Sequence, residues 1–275
     1  MCKFISGLGL KNGDLIVSKY TDSHEDLIDS LSLKDMENNL FQRLEYSPKK
    51  ENDFIGEYIL SFDNYKEIWV NEELIKSWTK KFEVIKNKRV ITKNNKILMG
   101  GAFVLVGDIT IKKLGNCCVL LNAGSATIEY ADSATIEHAN SATIKYAGSA
   151  TIKNAGSATI EHADLATIEH ADLATIEHAN SATIKDAGSA TIEDADSATI
   201  KYAGSATIEH AGSATIKDAG SATIKNADSA TIKYAGSATI EDAGSATIEH
   251  AGLATIKYAG SATIEDAGSA TITKD

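Results

Sequence analysis

Three residues near the amino terminus are of the types that covalent catalysis uses: Cys2, His24 and Asp22. Removal of Met1 would leave Cys2 with a free α-amino group, which can act as the base for its own thiol. Asp22 is close enough in sequence to orient the His24 imidazole, but it is better explained as a helix cap, with Glu25 three residues later. These residues predict a candidate site for nucleophilic catalysis, which the strands and helices of the amino-terminal part would have to position.

The Met1-Cys2 opening resembles the N-terminal-nucleophile hydrolases, which include glutamine amidotransferases that open Met-Cys-Gly-Ile. Only Met1 and Cys2 match, since Lys3 stands where those enzymes have Gly. The resemblance implies an amidase or hydrolase in the amino-terminal part, with the rest of the chain as an appendage. A Cys2-dependent enzyme is therefore the alternative function.

Histidines also recur at the last position of an eight-residue repeat. They are His138, His162, His170, His178, His210 and His250. The same position holds Tyr, Asp or Asn in other copies. A metal site needs a fixed ligand set in a fixed geometry, so we interpret this position as a tolerant exposed column. We expect neither a metal nor a cofactor.

The repeat itself is Ala-Gly-Ser-Ala-Thr-Ile-x-x, which fills residues 123–275 without insertion or deletion. Side chains of a strand alternate between its two faces, so Ala126 and Ile128 point inward whereas Thr127 and Glu129 face solvent. Gly, Asp or Asn recurs at a corner, where these residues tolerate left-handed backbone. One short strand and one corner per octad predict an all-β solenoid.

Either two octads, as a 16-residue coil, or three octads, as a 24-residue coil, could form one turn of the solenoid. Along the Glu/Lys position, 9 of 16 neighbours are unlike at the first spacing and 10 of 15 at the second. Charge therefore does not decide between them. We favour the 16-residue coil, because Ala and Ile are a small filling that suits a thin core.

Residues 1–96 predict a small α+β domain. Asn12-Gly13-Asp14 is a hairpin signal between two strand patterns, and Asn71 can cap a helix that carries Trp78 and Phe82 at helical spacing. The segments Arg89–Thr92 and Ile97–Met99 predict a further hairpin.

Residues 97–122 predict an atypical capping coil before the regular solenoid of residues 123–275. Within it Cys118 takes the inward Ala place and Leu120 the inward Ile place. The octads end in mid-repeat at Thr273, which predicts fraying or end-to-end and homo-oligomeric association.

Charge is distributed unevenly along this chain, whose net charge is −11. Residues 123–275 carry 21 acidic residues and 9 lysines, whereas residues 1–122 carry 17 acidic and 18 basic residues. The solenoid therefore lacks a basic nucleic-acid footprint, and we expect no direct nucleic-acid binding. The chain has three cysteines, no long apolar run in residues 1–10 and no stretch that could span a membrane. We expect a cytoplasmic protein that does not bind membranes.

The octads resemble those of ice-nucleation proteins, Ala-Gly-Tyr-Gly-Ser-Thr-x-Thr, in period and in the Ala-Gly-Ser opening. They have one Thr instead of Thr-x-Thr, with Glu or Lys beside it. Ala-Asp-Leu at 163–165 and 171–173 resembles pentapeptide-repeat proteins, some of which imitate DNA. The period here is eight, so that fold is not implied. An ice-binding Ser/Thr ladder and DNA mimicry remain alternatives.

The chain as a whole resembles uncharacterised phage and gut-bacterial proteins that open Met-Cys-Lys-Phe-x-x-Gly and end in Gly-Ser-Ala-Thr-Ile/Val octads. Residues 1–7, 22–24 and 96–101 and the octads carry the resemblance. It implies a phage or prophage context and no particular activity.

Together these patterns predict a non-enzymatic protein with an acidic solenoid that serves as a binding or display surface. The expected partner is a basic protein, including one that itself binds nucleic acid. Tyrosine contributes large contact area at low entropic cost, so the candidate binding residues are Tyr130, Tyr146, Tyr202, Tyr234 and Tyr258.

Overall fold

The computed structural model describes residues 5–20, 23–33, 40–63 and 65–273. The chain divides into two compact units, one formed by Met1–Thr92 with Gly100–Val106 and the other by Lys93–Met99 with Gly107–Asp275. Strands and helices are numbered along the whole chain. The predicted boundaries at 96 and 122 stay predictions.

The first unit contains an antiparallel sheet in the order β2-β1-β3-β4, two helices and one parallel pair, β5 with β7. Its elements are β1 (Ile5–Leu10), β2 (Leu15–Val17), α1 (His24–Ser30), β3 (Phe41–Pro48), β4 (Tyr58–Phe62), α2 (Glu72–Arg89), β5 (Val90–Ile91) and β7 (Gly101–Leu105). This is the α+β region that the sequence predicts.

Part of the core of the first unit forms around one face of α2. Trp78 and Phe82, one helical turn apart, are fully buried. The rings of Trp78 and Trp69 pack edge to face, with their centroids 6.1 Å apart. A Cβ on Gly9 would lie 2.6 Å from the Trp78 ring, so β1 needs a glycine there. The predicted cap is confirmed, because the Asn71 side chain accepts a hydrogen bond from the Leu74 amide at 2.9 Å.

The cap of α1 differs from the prediction. Ser23, not Asp22, is the N-cap, and its hydroxyl accepts a hydrogen bond from the Asp26 amide at 3.1 Å. Ser23 has the extended backbone that a cap requires, so its short side chain reaches the exposed amides of the first turn. Asp22 lies outside the described residues.

The predicted hairpin of Arg89–Thr92 and Ile97–Met99 is wrong. β5 pairs in parallel with β7, and β6 (Asn95–Leu98) pairs in parallel with β8 (Thr110–Leu114). The polar residues between β5 and β6 resemble a hairpin turn. Each strand instead finds its partner about one coil further along the chain, as parallel pairing requires.

The second unit is a parallel β-solenoid whose strands alternate between two sheets. We call them the even sheet (β6, β8, β10 and the later even-numbered strands) and the odd sheet (β9, β11 and the later odd-numbered strands). Strands not yet given are β9 (Cys118–Asn122), β10 (Thr127–Tyr130), β11 (Thr135–His138), β12 (Thr143–Tyr146), β13 (Thr151–Asn154), β14 (Thr159–His162), β15 (Thr167–His170), β16 (Thr175–His178), β17 (Thr183–Asp186), β18 (Thr191–Asp194), β19 (Thr199–Tyr202), β20 (Thr207–His210), β21 (Thr215–Asp218), β22 (Thr223–Asn226), β23 (Thr231–Tyr234), β24 (Thr239–Asp242), β25 (Thr247–His250), β26 (Thr255–Tyr258), β27 (Thr263–Asp266) and β28 (Thr271–Ile272).

The register confirms the two-octad coil, because Ile128 pairs with Ile144 and Ile136 with Ile152. Leu120 pairs with Ile136, so Leu120 occupies the Ile place as predicted. Cys118 is buried, as its predicted inward position requires. One extra residue separates β8 from β9, since Thr127 pairs with Thr110.

Two alanines and one isoleucine per octad fill the space between the sheets. Ala123, Ala126 and Ile128 are fully buried, and the pattern continues through Ile256. Each buried Ile side chain contributes about 1.5–3 kcal/mol. The corners are left-handed whether they hold Gly148 (φ +61°) or Asp132 (φ +49°), which explains why Gly, Asp and Asn exchange there.

Each octad is thus related to the next by a half-turn about the solenoid axis. Its outer face presents a half-buried Thr and a Glu or Lys, and the last strand residue lies at the edge. The two sheets therefore carry equivalent outer surfaces that differ only in their variable side chains. No helix within the described ranges of the chain is long and apolar enough to cross a membrane.

Candidate functional site

Of the predicted catalytic set, Cys2 and Asp22 lie outside the described residues, whereas His24 lies on α1 and is fully buried. Its Nε2 is 2.9 Å from the Leu44 carbonyl oxygen and its Nδ1 is 3.4 Å from Asp63 Oδ2. A backbone carbonyl and a carboxylate therefore fix both ring nitrogens. The imidazole links α1 to β3.

Sequence reasoning missed the two acids near His24. Glu45 and Asp63 each offer a ligand atom within 4.8 Å of those of the other two residues. Arg43 Nη1 lies 3.8 Å from Asp63 and 3.1 Å from Glu25, so the guanidinium adds positive charge to the cluster. The acids come from β3 and from just after β4, and no local sequence signal connects them with α1. We interpret the cluster as an ion-pair network.

A second polar cluster lies between β3 and α2. Tyr46 Oη donates to Glu83 at 2.5 Å, and Lys86 Nζ donates to the other oxygen of the same carboxylate. Burial, and then the bond to Glu83, raise the pKa of Tyr46 well above its ordinary value. Burial opposes ionisation of Glu83, but the Lys86 and Tyr46 hydrogen bonds together lower its pKa. This cluster therefore holds a protonated phenol against a carboxylate.

The cysteines of the solenoid differ in exposure. Cys118 is buried, and burial raises the pKa of its thiol to about 12. The thiolate is the reactive form, so this side chain acts as a core residue. Cys117 is exposed at a left-handed corner with φ +58°.

The five predicted binding tyrosines divide between the two sheets. Tyr130, Tyr146 and Tyr258 end strands of the even sheet, and Tyr202 and Tyr234 end strands of the odd sheet. All five are exposed. They therefore do not form one patch.

On four strands of the even sheet, the side chains at the last strand position form a continuous aromatic stack along the edge of the sheet. Tyr130, Tyr146, His162 and His178 follow one another with ring centroids 5.0–5.1 Å apart and nearly parallel planes. His178 Nδ1 then lies 3.2 Å from Asp194 Oδ2 on the next strand of that sheet. The spacing of the parallel strands sets this ladder, which gives the edge a rigid, partly apolar surface.

The Glu and Lys side chains form one charged column on each sheet. Along the even sheet the column is Glu129, Lys145, Glu161, Glu177, Glu193, Glu209, Lys225, Glu241 and Lys257. Along the odd sheet it is Glu137, Lys153, Glu169, Lys185, Lys201, Lys217, Lys233, Glu249 and Glu265.

Like charges are segregated in the middle of each column. We call Glu161, Glu177, Glu193 and Glu209 the acidic run, and Lys185, Lys201, Lys217 and Lys233 the basic run. The two runs lie on opposite faces of the solenoid and overlap in three coils, where Glu177, Glu193 and Glu209 are followed one octad later by Lys185, Lys201 and Lys217.

Outside these runs and at their ends, neighbours within a sheet are unlike except for Glu249 and Glu265, and several of the unlike neighbours form ion pairs. Lys153 Nζ is 2.8 Å from Glu137 Oε1, and Lys225 Nζ is 2.6 Å from Glu209 Oε1. The hydrogen bond and charge of Lys225 lower the pKa of Glu209. Inside the runs each charge has a like charge as its neighbour on at least one side, which is unfavourable for the isolated sheet.

This segregation of charge is not visible along the chain, because successive octads belong alternately to the two sheets. The two runs emerge only when odd and even octads are sorted separately, which requires the two-octad coil. That sorting was possible from the sequence once the coil size had been assumed.

No family model, curated protein or solved structure matches this chain. The resemblance to phage and gut-bacterial proteins therefore stays a prediction.

Proposed function

We propose that this chain is a non-enzymatic interaction protein whose even face binds a basic surface on another protein. The acidic run is the observation that supports the proposal. Four carboxylates stand in line at the spacing of adjacent strands, about 4.8 Å. Their mutual repulsion is relieved when Lys or Arg side chains of a partner bind along the column.

The edge beside the acidic run supports the same function. His162 and His178 end the strands that carry Glu161 and Glu177, and they continue the stack of Tyr130 and Tyr146. Aromatic side chains are enriched at interfaces, because they add contact area and leave little conformational entropy to lose. A partner with alternating basic and apolar groups would fit this surface, and nucleic-acid-binding proteins carry basic surfaces of this kind.

Burial of His24 supports a non-enzymatic function. A catalytic imidazole must reach its substrate, whereas this ring is enclosed between α1 and β3 and bonds to a backbone carbonyl. In the phage or prophage context that the sequence resemblance implies, a basic host protein is one partner that would fit this face.

The test uses the full chain and a fluorescent oligo-lysine peptide as the probe, with binding followed by anisotropy. We expect binding that weakens as salt shortens the Debye length from about 10 Å at 0.1 M toward about 3 Å at 1 M. The variant E161Q/E177Q/E193Q/E209Q should bind much more weakly, because the acidic run is removed.

The matched control is E137Q/E169Q/E249Q/E265Q, which changes the net charge equally but removes the glutamates of the odd column. It should keep the affinity of the unmodified chain. If both quadruple variants lose binding equally, net charge alone attracts the probe and the proposed site is wrong.

A further inference from the structure

We propose that the basic surface recognised by the even face is the odd face of a second copy of this chain, packed antiparallel. This inference rests on the proposed function and names its partner. The supporting observation is the match between the two charged columns, which are carried by equivalent outer surfaces.

Geometry brings the charged columns together in one orientation. Because octads are related by a half-turn, both faces show the Thr column on the same side of the charged column when viewed from outside with one end up. Two faces that meet with parallel axes set the charged column of one copy against the Thr column of the other. Turning one copy end over end sets charged column against charged column and Thr against Thr.

In that orientation, full overlap of the nine positions gives eight unlike pairs, with Glu129 against Glu265 as the only like pair. The unlike pairs are Lys145 with Glu249, Glu161 with Lys233, Glu177 with Lys217, Glu193 with Lys201, Glu209 with Lys185, Lys225 with Glu169, Glu241 with Lys153 and Lys257 with Glu137. The composition of the two columns permits no more than eight. The acidic run thus lies against the complete basic run.

Other registers match less well. Sliding one copy by one coil leaves three unlike pairs of eight in one direction and four of eight in the other. Two even faces packed antiparallel give six unlike pairs of nine. At the centre of that contact, Glu177 of one copy faces Glu209 of the other, and the two Glu193 residues face each other. Two odd faces give four of nine. The columns therefore specify both the choice of faces and the register.

An even face on an odd face is a heterologous contact, so a pair of copies keeps one free odd face on one copy and one free even face on the other. Repetition of such a contact builds an open assembly. We therefore expect a stack in which neighbouring copies alternate in direction and whose length depends on concentration.

Sedimentation velocity of the full chain tests the proposal. At about 0.02 M salt the sedimentation coefficient should rise with concentration, and at about 0.5 M salt this rise should disappear because the charges are screened. A chain that sediments as a monomer at every concentration in low salt would overturn the proposal.

Charge reversal tests the choice of faces. The variants E161K/E177K/E193K/E209K and K185E/K201E/K217E/K233E each leave four unlike pairs of nine. Each variant alone should associate roughly 30-fold more weakly or worse. Mixing them restores eight unlike pairs on both contacts, so the equimolar mixture should associate like the unmodified chain. Circular dichroism must show that both variants keep their β-structure.

Zero-length carbodiimide cross-linking of the unmodified chain tests the register without depending on a variant. Glu177–Lys217 and Glu209–Lys185 cross-links should appear, because these partners lie on opposite sheets within one copy and meet only between copies. Glu137–Lys153, an ion pair within one sheet, is the internal control. Absence of the first two cross-links alongside the third would refute the proposed contact.

The two proposals fail differently. Oligo-lysine binding to the acidic run without self-association would leave the proposed function standing and exclude the second copy as its partner. Self-association that both charge-reversed variants retain would exclude the charged columns as its cause.

Discussion

Replacement of Ile200 by Ala probes how far a disturbance travels in the solenoid. Ile200 is 0% exposed and is stacked between Ile184 and Ile216 in the odd sheet. Removing its side-chain carbons costs about 2–5 kcal/mol, depending on how well the site collapses. The low end of that range is expected, because a two-layer core of Ala and Ile can close around a small gap. About 2 kcal/mol corresponds to a roughly 30-fold change in a local opening equilibrium.

Hydrogen exchange followed by mass spectrometry reads that equilibrium segment by segment. Amides of β17, β19 and β21 should exchange roughly 30-fold faster or more, since repeats contact only their neighbours. Strands β1 and β3 of the first unit should keep their exchange rates.

The same substitution at Ile264 is the matched control. Ile264 occupies the same position of the octad but is only half-buried, so its replacement should have a smaller effect. Equal acceleration in β1, β3 and the whole solenoid after Ile200→Ala would refute the nearest-neighbour reasoning, because it would mean that the chain opens as one cooperative body.

Three further predictions follow from the corners, the charges and the repeat. Gly204 has φ +61°, and an added Cβ would lie 2.6 Å from the Gly188 oxygen. Gly204→Val should therefore lower the denaturant midpoint more than Gly204→Asn, because Asn tolerates left-handed backbone. Equal losses in the two variants would contradict this. Lys225 lowers the pKa of Glu209, so their pair stabilises the fold above the ordinary Glu pKa, and this contribution is lost as pH falls through the lowered value. Lys225→Gln should raise the Glu209 pKa in a carboxylate NMR titration, whereas Lys257→Gln, beside Glu241, should not. Deleting the octad 183–190 should leave a folded solenoid by circular dichroism but weaken self-association, because every later octad moves to the opposite sheet and the even-to-odd contact falls from eight unlike pairs of nine to five of eight. Association as strong as that of the unmodified chain would count against the columns.

The solenoid was predictable because its signals are local and repeated. Alternation of Ala126, Thr127 and Ile128 determines which side chains are buried, and the corner residues determine where the chain turns. The places of Cys118 and Leu120 followed from the same alternation, although the residue types differ.

The errors arose where pairing is non-local. Lys93 to Asn95 has the composition of a hairpin turn, but β5 and β6 pair with strands that follow about one coil later. The His24 cluster depends on Glu45 and Asp63, which the fold of the first unit brings to α1. Neither pairing leaves a periodic signal in the sequence.

The charged runs lie between these two cases. Their residues are visible in the sequence. The count of unlike Glu/Lys neighbours two octads apart did not reveal the runs, because it combined stretches in which the charges alternate with stretches in which they are all alike. Lys201 and Glu193 are one octad apart and lie on opposite faces, and only the sheet assignment separates them.

The placement of the indoles gives each unit its own optical signal. Both tryptophans of the chain, Trp69 and Trp78, belong to the first unit, and Trp78 is fully buried in its core. Selectively excited tryptophan emission therefore reports on the first unit alone. Far-ultraviolet dichroism is dominated by the many strands of the solenoid. A single denaturation series recorded with both signals would show whether the two units lose their structure together or in separate steps.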